Sequence, residues 1–131
     1  FIRSAFFGAA SVRFHRPPSG IGLSETAQAV IRGVRDLSDR MDWFAAAPRN
    51  DLLADRSDNE AYCRARPGHD YAVYFPDGGG VTLDLGALDG AASVTWLEVL
   101  EKRWSEPEAV SGGSPLSLDA PGAGHWIALV Q

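Results

Sequence analysis

Hydrophobic residues along this chain follow two different periods, and the change falls near Pro48. Between Ser24 and Met41 the apolar positions Ala27, Val30, Ile31, Val34, Leu37 and Met41 recur at steps of three and four, while Gln28, Arg32, Arg35 and Asp39 fall on the other side. That spacing predicts an amphipathic helix with one buried face. Ser24 is suited to cap its N-terminus, Glu25 puts a negative charge in the first turn where the helix dipole favours it, and Pro48 stops whatever remains of the helix. Upstream, the apolar, small-residue-rich run from Phe6 to His15 turns abruptly at Arg16-Pro17-Pro18-Ser19-Gly20-Ile21-Gly22 and reads as a buried segment ending in a loop.

Beyond Pro48 the period drops to two. Tyr71-Ala72-Val73-Tyr74-Phe75 and Val81-Thr82-Leu83-Asp84-Leu85 alternate on either side of Pro76-Asp77-Gly78-Gly79-Gly80, which predicts a β-hairpin with a glycine-rich turn. Further strands are expected at Ala92–Val99, at Lys102–Val110 with an interruption at Pro107, at Leu116–Leu118 and at Trp126–Val130. Asn59–Ala65 can add another, with Ala61 and Cys63 facing inward. Short strands with turn signals every ~8 to 12 residues predict an antiparallel sandwich, and seven or eight strands fit the chain. The fold class expected is mainly β: an antiparallel β-sandwich preceded by one strand-helix unit.

Composition removes several function classes. A net charge of −5, with arginines interspersed among acids, argues against a nucleic-acid partner. No stretch approaches the ~18 apolar residues that cross a bilayer, so no membrane partner is expected, and no signal-peptide pattern is present. At 45% hydrophobic and 22% charged residues the chain is ordinary for a globular protein. Its single cysteine, Cys63, has no partner for an internal disulfide and reads as a small packed residue rather than a nucleophile. The chain begins at Phe1 without an initiator Met, which suggests a piece of a longer sequence and leaves its compartment open.

The string Asp70-Tyr71-Ala72-Val73-Tyr74-Phe75-Pro76-Asp77-Gly78-Gly79 is followed by Val81–Leu85, the Val94-Thr95-Trp96 strand and the terminal Ala120-Pro121-Gly122-Ala123-Gly124-His125-Trp126-Ile127-Ala128-Leu129-Val130. Together these four elements resemble the collagen-binding domain found at the C-terminus of apiosidase-like and related bacterial glycoside hydrolases, over roughly residues 50 to 131. The segment Gly8–Pro18 with the helix from Ser24 is similar to the last strand and helix of the catalytic barrel in those enzymes, although a His-Arg-Pro-Pro turn stands where family members often carry a Gly-rich or Trp-containing loop. The resemblance implies two parts, residues 1–47 from a (β/α)8 barrel and residues 48–131 as the sandwich, in a parent hydrolase that is secreted or periplasmic.

One strand and one helix of such a barrel cannot assemble a catalytic site, whose residues come from the ends of several strands. Glycoside hydrolysis needs two opposed carboxyl groups, yet Phe1–Gly22 contains no Asp or Glu. No catalytic residue is therefore expected within the fragment. His15 and Arg16 would follow the presumed last barrel strand and are candidate substrate contacts of the parent, or else a hydrogen-bonded loop histidine and an arginine paired with the neighbouring helix. His15, His69 and His125 are too dispersed for a metal site, and Asp55 with Asp58 or Glu98 with Glu101 lack a calcium-loop pattern, so solvated turn charges are the default. No cofactor is called for. Neither the Ser-Gly-Gly-Ser run at 111–114 nor Asp77-Gly78-Gly79-Gly80 opens a helix after a strand, as a phosphate cradle must.

Four tryptophans raise a saccharide-binding hypothesis, because sugar rings stack on flat aromatic faces. Trp96 and Trp126 sit between apolar neighbours in strands and are expected in the core. Trp104, amid Lys102, Arg103 and Glu106, is the one expected to be exposed, either as a substrate-binding platform or as an interdomain contact. The function expected is a non-catalytic accessory domain of a carbohydrate-active hydrolase whose partner is the intramolecular catalytic barrel. A stand-alone polysaccharide- or collagen-binding module is the alternative. The helix face carrying Val30, Ile31, Val34 and Leu37 needs a cover, which its own sandwich, the barrel or a second copy in a dimer could supply.

Overall fold

A computed structural model describes residues 1–9, 17–18 and 20–131. It contains helices α1 (Ile2–Phe6) and α2 (Glu25–Ser38) and the strands β1 (Ala47–Pro48), β2 (Leu53–Ala54), β3 (Tyr62–Arg66), β4 (Asp70–Phe75), β5 (Gly80–Leu83), β6 (Ala91–Glu98), β7 (Arg103–Trp104), β8 (Glu108–Ser111), β9 (Leu116–Asp119) and β10 (Trp126–Val130). The mainly β, antiparallel sandwich expected from the alternation is what forms. Seven of the ten strands among the described residues are four residues or longer, and β1, β2 and β7 are two-residue additions at sheet margins.

The strands divide into a larger sheet ordered β1-β3-β4-β10-β6-β7, with β8 also pairing β6, and a smaller sheet ordered β2-β5-β9. Alternation explains how they stack. Cys63, Tyr71, Val73, Phe75, Val94, Ala128 and Val130 of the larger sheet meet Val81, Leu83 and Leu118 of the smaller one in a buried inter-sheet core. The alternate residues Tyr62, Ala72, Tyr74, Leu97, Ile127 and Leu129 face the other way and form a second core with Ile2, Phe6, Leu37 and Met41. Three layers result: helices, a larger sheet and a smaller sheet. Every position of β4 is buried because both of its faces are covered.

The helix expected from Ser24 forms as the pattern indicates. Ser24 Oγ accepts a hydrogen bond from the Ala27 amide at 3.2 Å. Leu37 is fully buried, and Val30 and Val34 pack beside it against the sheet. Gly33 lets α2 sit close to the end of β6: a Cβ there would lie 2.9 Å from Val99 Cγ1 and 3.0 Å from the Val99 carbonyl oxygen. The helix stops at Ser38, well before Pro48, and Met41 reaches the same core from the following turn.

Two local expectations are corrected. The runs Tyr71–Phe75 and Val81–Leu85 do not pair as a hairpin: β4 lies between β3 and β10, whereas β5 lies between β2 and β9 in the other sheet. Both runs carry inward-facing apolar residues, and placing them on opposite layers buries those residues against each other. The connection is a crossover fixed by Glu60, whose carboxylate accepts the amides of Ser57 at 2.7 Å and Gly80 at 3.1 Å. Secondly, Phe6 belongs to helix α1 and is buried on the helix-side core, whereas Phe7 at the helix end is 57% exposed. The rest of the presumed buried segment, residues 10–16, lies outside the described residues.

Lys102–Val110 divides at Pro107 as expected, into β7 and β8, both paired to β6. Ala61 and Cys63 face the inter-sheet core as the pattern of Asn59–Ala65 predicts.

Candidate functional site

Of the three substrate-contact candidates, His15 and Arg16 lie outside the described residues. Trp104 is on β7, where it pairs with Leu97, and it packs half-buried against the helix-side core. The Arg40 guanidinium sits over its ring at 4.1 Å from the centroid, a cation–π contact that takes up one aromatic face. Trp43 is held in the same manner, by Arg64 at 4.6 Å and by the edge of Phe6 at 5.3 Å.

Trp96 and Trp126 pack against the inter-sheet core, and the Trp126 indole donates to the Ala123 carbonyl at 3.2 Å. Trp96 meets Phe75 at 5.6 Å between ring centroids and is only partly buried. The remaining part of its surroundings is a cleft of about 240 Å³, lined by Val94, Trp96, Glu108, Val110, Leu116, Ser117, Leu118 and Asp119. Register explains the mixture of residue types. Glu108 lies directly opposite Val94 and Val110 opposite Ala92, so Glu108 shares the inward face of the larger sheet with Val94, Trp96 and Val110. The β2-β5-β9 sheet is too narrow to cover that margin, and β9 forms the far wall as an edge strand. Glu108 therefore stands at an uncovered margin of that face and is exposed to solvent. Its backbone pairs with β6, and its side chain has no hydrogen-bond or ion-pair partner among the described residues.

Other ionisable groups serve the fold. Asp55 accepts the Thr82 hydroxyl at 2.8 Å, which ties the end of β2 to β5, and Glu98 accepts the Glu101 amide, which ties down the turn after β6. His125 Nδ1 and the Tyr74 hydroxyl are hydrogen-bonded at 2.8 Å with their rings stacked. Burial pushes the Tyr74 hydroxyl up to about 12. It does the same to the Cys63 thiol, which also rises to about 12, so the thiolate needed for nucleophilic or redox chemistry is strongly disfavoured. Among the described residues, no group of three or more His, Cys, Asp or Glu side chains could hold a metal, and no helix is long and apolar enough to cross a membrane.

On the helix side of the molecule, Phe44 is 93% exposed and Phe7 stands edge-on to Tyr62 at 5.3 Å. Leu100 borders an open depression with Glu25, Thr26, Gln28, Ala29 and Arg32 of α2. Sequence reasoning singled out Trp104 for the charges around it and passed over the cleft at Trp96. That cleft depends on which strands lie opposite β8, which no single segment encodes.

No protein-family model matches the sequence, and no curated protein matches it. Among solved structures, one described as a glycoside hydrolase superposes with a TM-score of 0.71 at 12% identity, covering 89% of this chain and 30% of that one. A glycoside hydrolase family 5 protein from Bacteroides vulgatus superposes with a TM-score of 0.66 at 14% identity, over 80% of this chain and 24% of that one. The chain thus spans less than a third of the length of either relative, and the likeness is one of fold: this chain folds as a portion of these glycoside hydrolases does.

Proposed function

We propose that the chain is the non-catalytic C-terminal region of a bacterial carbohydrate-active hydrolase, in which residues 1–47 belong to the end of a catalytic barrel and residues 48–131 form a sandwich that packs on and stabilises it. The observation that carries this reading is the superposition of 89% of this chain onto 30% of a glycoside hydrolase. The exposed aromatic side chains Phe7 and Phe44 on the helix side support it, since large apolar groups left in solvent are suited to cover by a neighbouring domain. His15 and Arg16 then become contacts to sugar at the mouth of the barrel, and Trp104 a contact to sugar or to the barrel itself. Stand-alone attachment to collagen or insoluble polysaccharide is the competing role, tested by retention on those matrices.

The decisive experiment is on the longer protein encoded with this chain. Its upstream residues should contain strand–helix repeats with acidic residues at strand ends. Deleting residues 48–131 should lower the midpoint of thermal unfolding of the hydrolase and promote its aggregation. An upstream sequence without such repeats, or a truncated hydrolase as stable as the whole, would refute the proposal.

A further inference from the structure

We infer that the helix-side face of the larger sheet is a permanent docking surface for residues 1–47, so that the sandwich is held in one fixed orientation on the segment preceding it and does not swing as a tethered module. That this segment is the end of a catalytic barrel rests on the function proposed above. The lock itself rests on contacts within this chain.

Neighbouring domains move relative to one another unless their interface is large and apolar, and the joint between them falls in an exposed linker that few contacts cross. Neither condition for motion is met here. First, the interface is apolar and closed. Phe6 and Leu37 share one buried core with Tyr74, Leu97, Ile127 and Leu129 of the sandwich, and the Phe6 and Tyr74 rings lie 5.7 Å apart. Secondly, the connector between α2 and β1, residues 39–46, has no slack. Met41 and Ala46 are buried within it. The sandwich grips its backbone directly: Gln131 Nε2 donates to the Arg40 carbonyl at 2.7 Å, and Arg64 donates to the Trp43 carbonyl from Nε and Nη2, each at 3.2 Å. Arg66 adds an ion pair to Asp42 at 3.6 Å, and β1 begins directly afterwards at Ala47, paired to β3. Arg64 also reaches the Ala5 carbonyl at 3.4 Å, so one side chain of β3 ties together α1, the connector and the sheet. Thirdly, α2 is anchored along its own length, by the close approach of Gly33 to Val99 and by the Asp36–Lys102 ion pair at 3.2 Å.

The likeness to a glycoside hydrolase agrees in extent. It covers 89% of this chain, of which residues 48–131 make up about two-thirds, so residues of the helical layer superpose together with the sandwich. A module that searches an insoluble matrix gains from a flexible tether, whose length sets its reach. A locked sandwich lacks that reach, which favours the packing role over the stand-alone one.

Pulsed electron double resonance between two nitroxide labels tests the lock, first on the 131-residue chain and then on the longer protein encoded with it. One pair of labels goes at Arg32→Cys and Ser117→Cys, and an independent pair at Arg35→Cys and Ala54→Cys. All four positions are exposed, and the native Cys63 is buried away from the reagent. Each pair should give a single narrow distance peak that neither shifts nor broadens in the longer protein. There, a fluorophore on Ser117→Cys should tumble at the rate of the whole molecule, without the faster component of a free 14.0 kDa body. A broad or double-peaked distribution from either pair would overturn the inference. So would fast tumbling in the longer protein, which would put a hinge ahead of the helical layer. An upstream sequence without barrel repeats would sink the function proposed above and leave the distances within this chain unchanged, so the two failures are distinguishable.

Discussion

Leu37→Ala isolates the contribution of the helical layer. Leu37 has no exposed surface and sits in the core that α2 shares with Leu97, Val99, Ile127 and Leu129. Truncating a leucine at such a site removes its transfer free energy and leaves a cavity, at about 2–5 kcal/mol, with ~3 kcal/mol a reasonable centre. Helix propensity changes little between Leu and Ala, so packing dominates. At ~2.1 cal/mol/K per residue the unfolding entropy of a 131-residue chain is about 0.28 kcal/mol/K, and the melting temperature should fall by about 11 °C. Phe44→Ala serves as the control, because a side chain 93% exposed has little to lose and should change the midpoint by less than ~2 °C. Scanning calorimetry of both variants is the assay. A Leu37→Ala midpoint within ~2 °C of the parent would mean that α2 does not cover the sheet in solution, and the three-layer description would fail.

Gly33→Ala places a Cβ 3.0 Å from the Val99 carbonyl oxygen, and overpacking of about 1–3 kcal/mol should outweigh the ~1 kcal/mol gained in helix propensity; a variant more stable than the parent by calorimetry would contradict the close approach of α2. Cys63 should resist a thiol reagent at pH 8 until the protein unfolds, and labelling of the native protein at the unfolded rate would refute its burial. The folded thiol holds its proton to about 12 against 9.0 for the free group, so the unfolded chain loses protons first and stability should decline as pH rises between those values. Cys63→Ala should flatten that alkaline decline in denaturant titrations. Glu60 behaves oppositely: the Ser57 and Gly80 amides hold its carboxyl below the usual range, so its contribution is present at neutral pH and is lost as pH falls through that lowered value, and Glu60→Gln should make acid unfolding less steep.

Period-two alternation located β3, β6, β8 and β9 well because each of these strands has one dominant apolar face or a clear break, such as Pro107 between β7 and β8, whereas β10 shows as a short run that is apolar on both faces. The Ser24 cap and the amphipathic stripe of α2 were equally plain, since both are local. Pairing was not legible. A glycine-rich link between two alternating runs is compatible with a hairpin in one sheet and with a crossover between two, and the hint that Tyr71–Phe75 is central is that, like Trp126–Val130, it is apolar on both faces. Arg40 over Trp104 was invisible for a similar reason, as the two are brought together by tertiary packing and not by sequence spacing. The cleft at Trp96 depends on the mismatch in width between the two sheets, which no single segment encodes.

Backbone hydrogen exchange reports most directly on the claim that β4, β10 and β6 are the centre of a sheet enclosed on both faces. The amides of Ala72–Phe75 and Ile127–Val130 should be the slowest in the protein, because they are laddered on both sides and lie beneath helices on one face and the smaller sheet on the other. Fast exchange in Ile127–Val130, with Tyr71–Phe75 and Val81–Leu85 protected together as a pair, would instead restore the hairpin and contradict the layered arrangement.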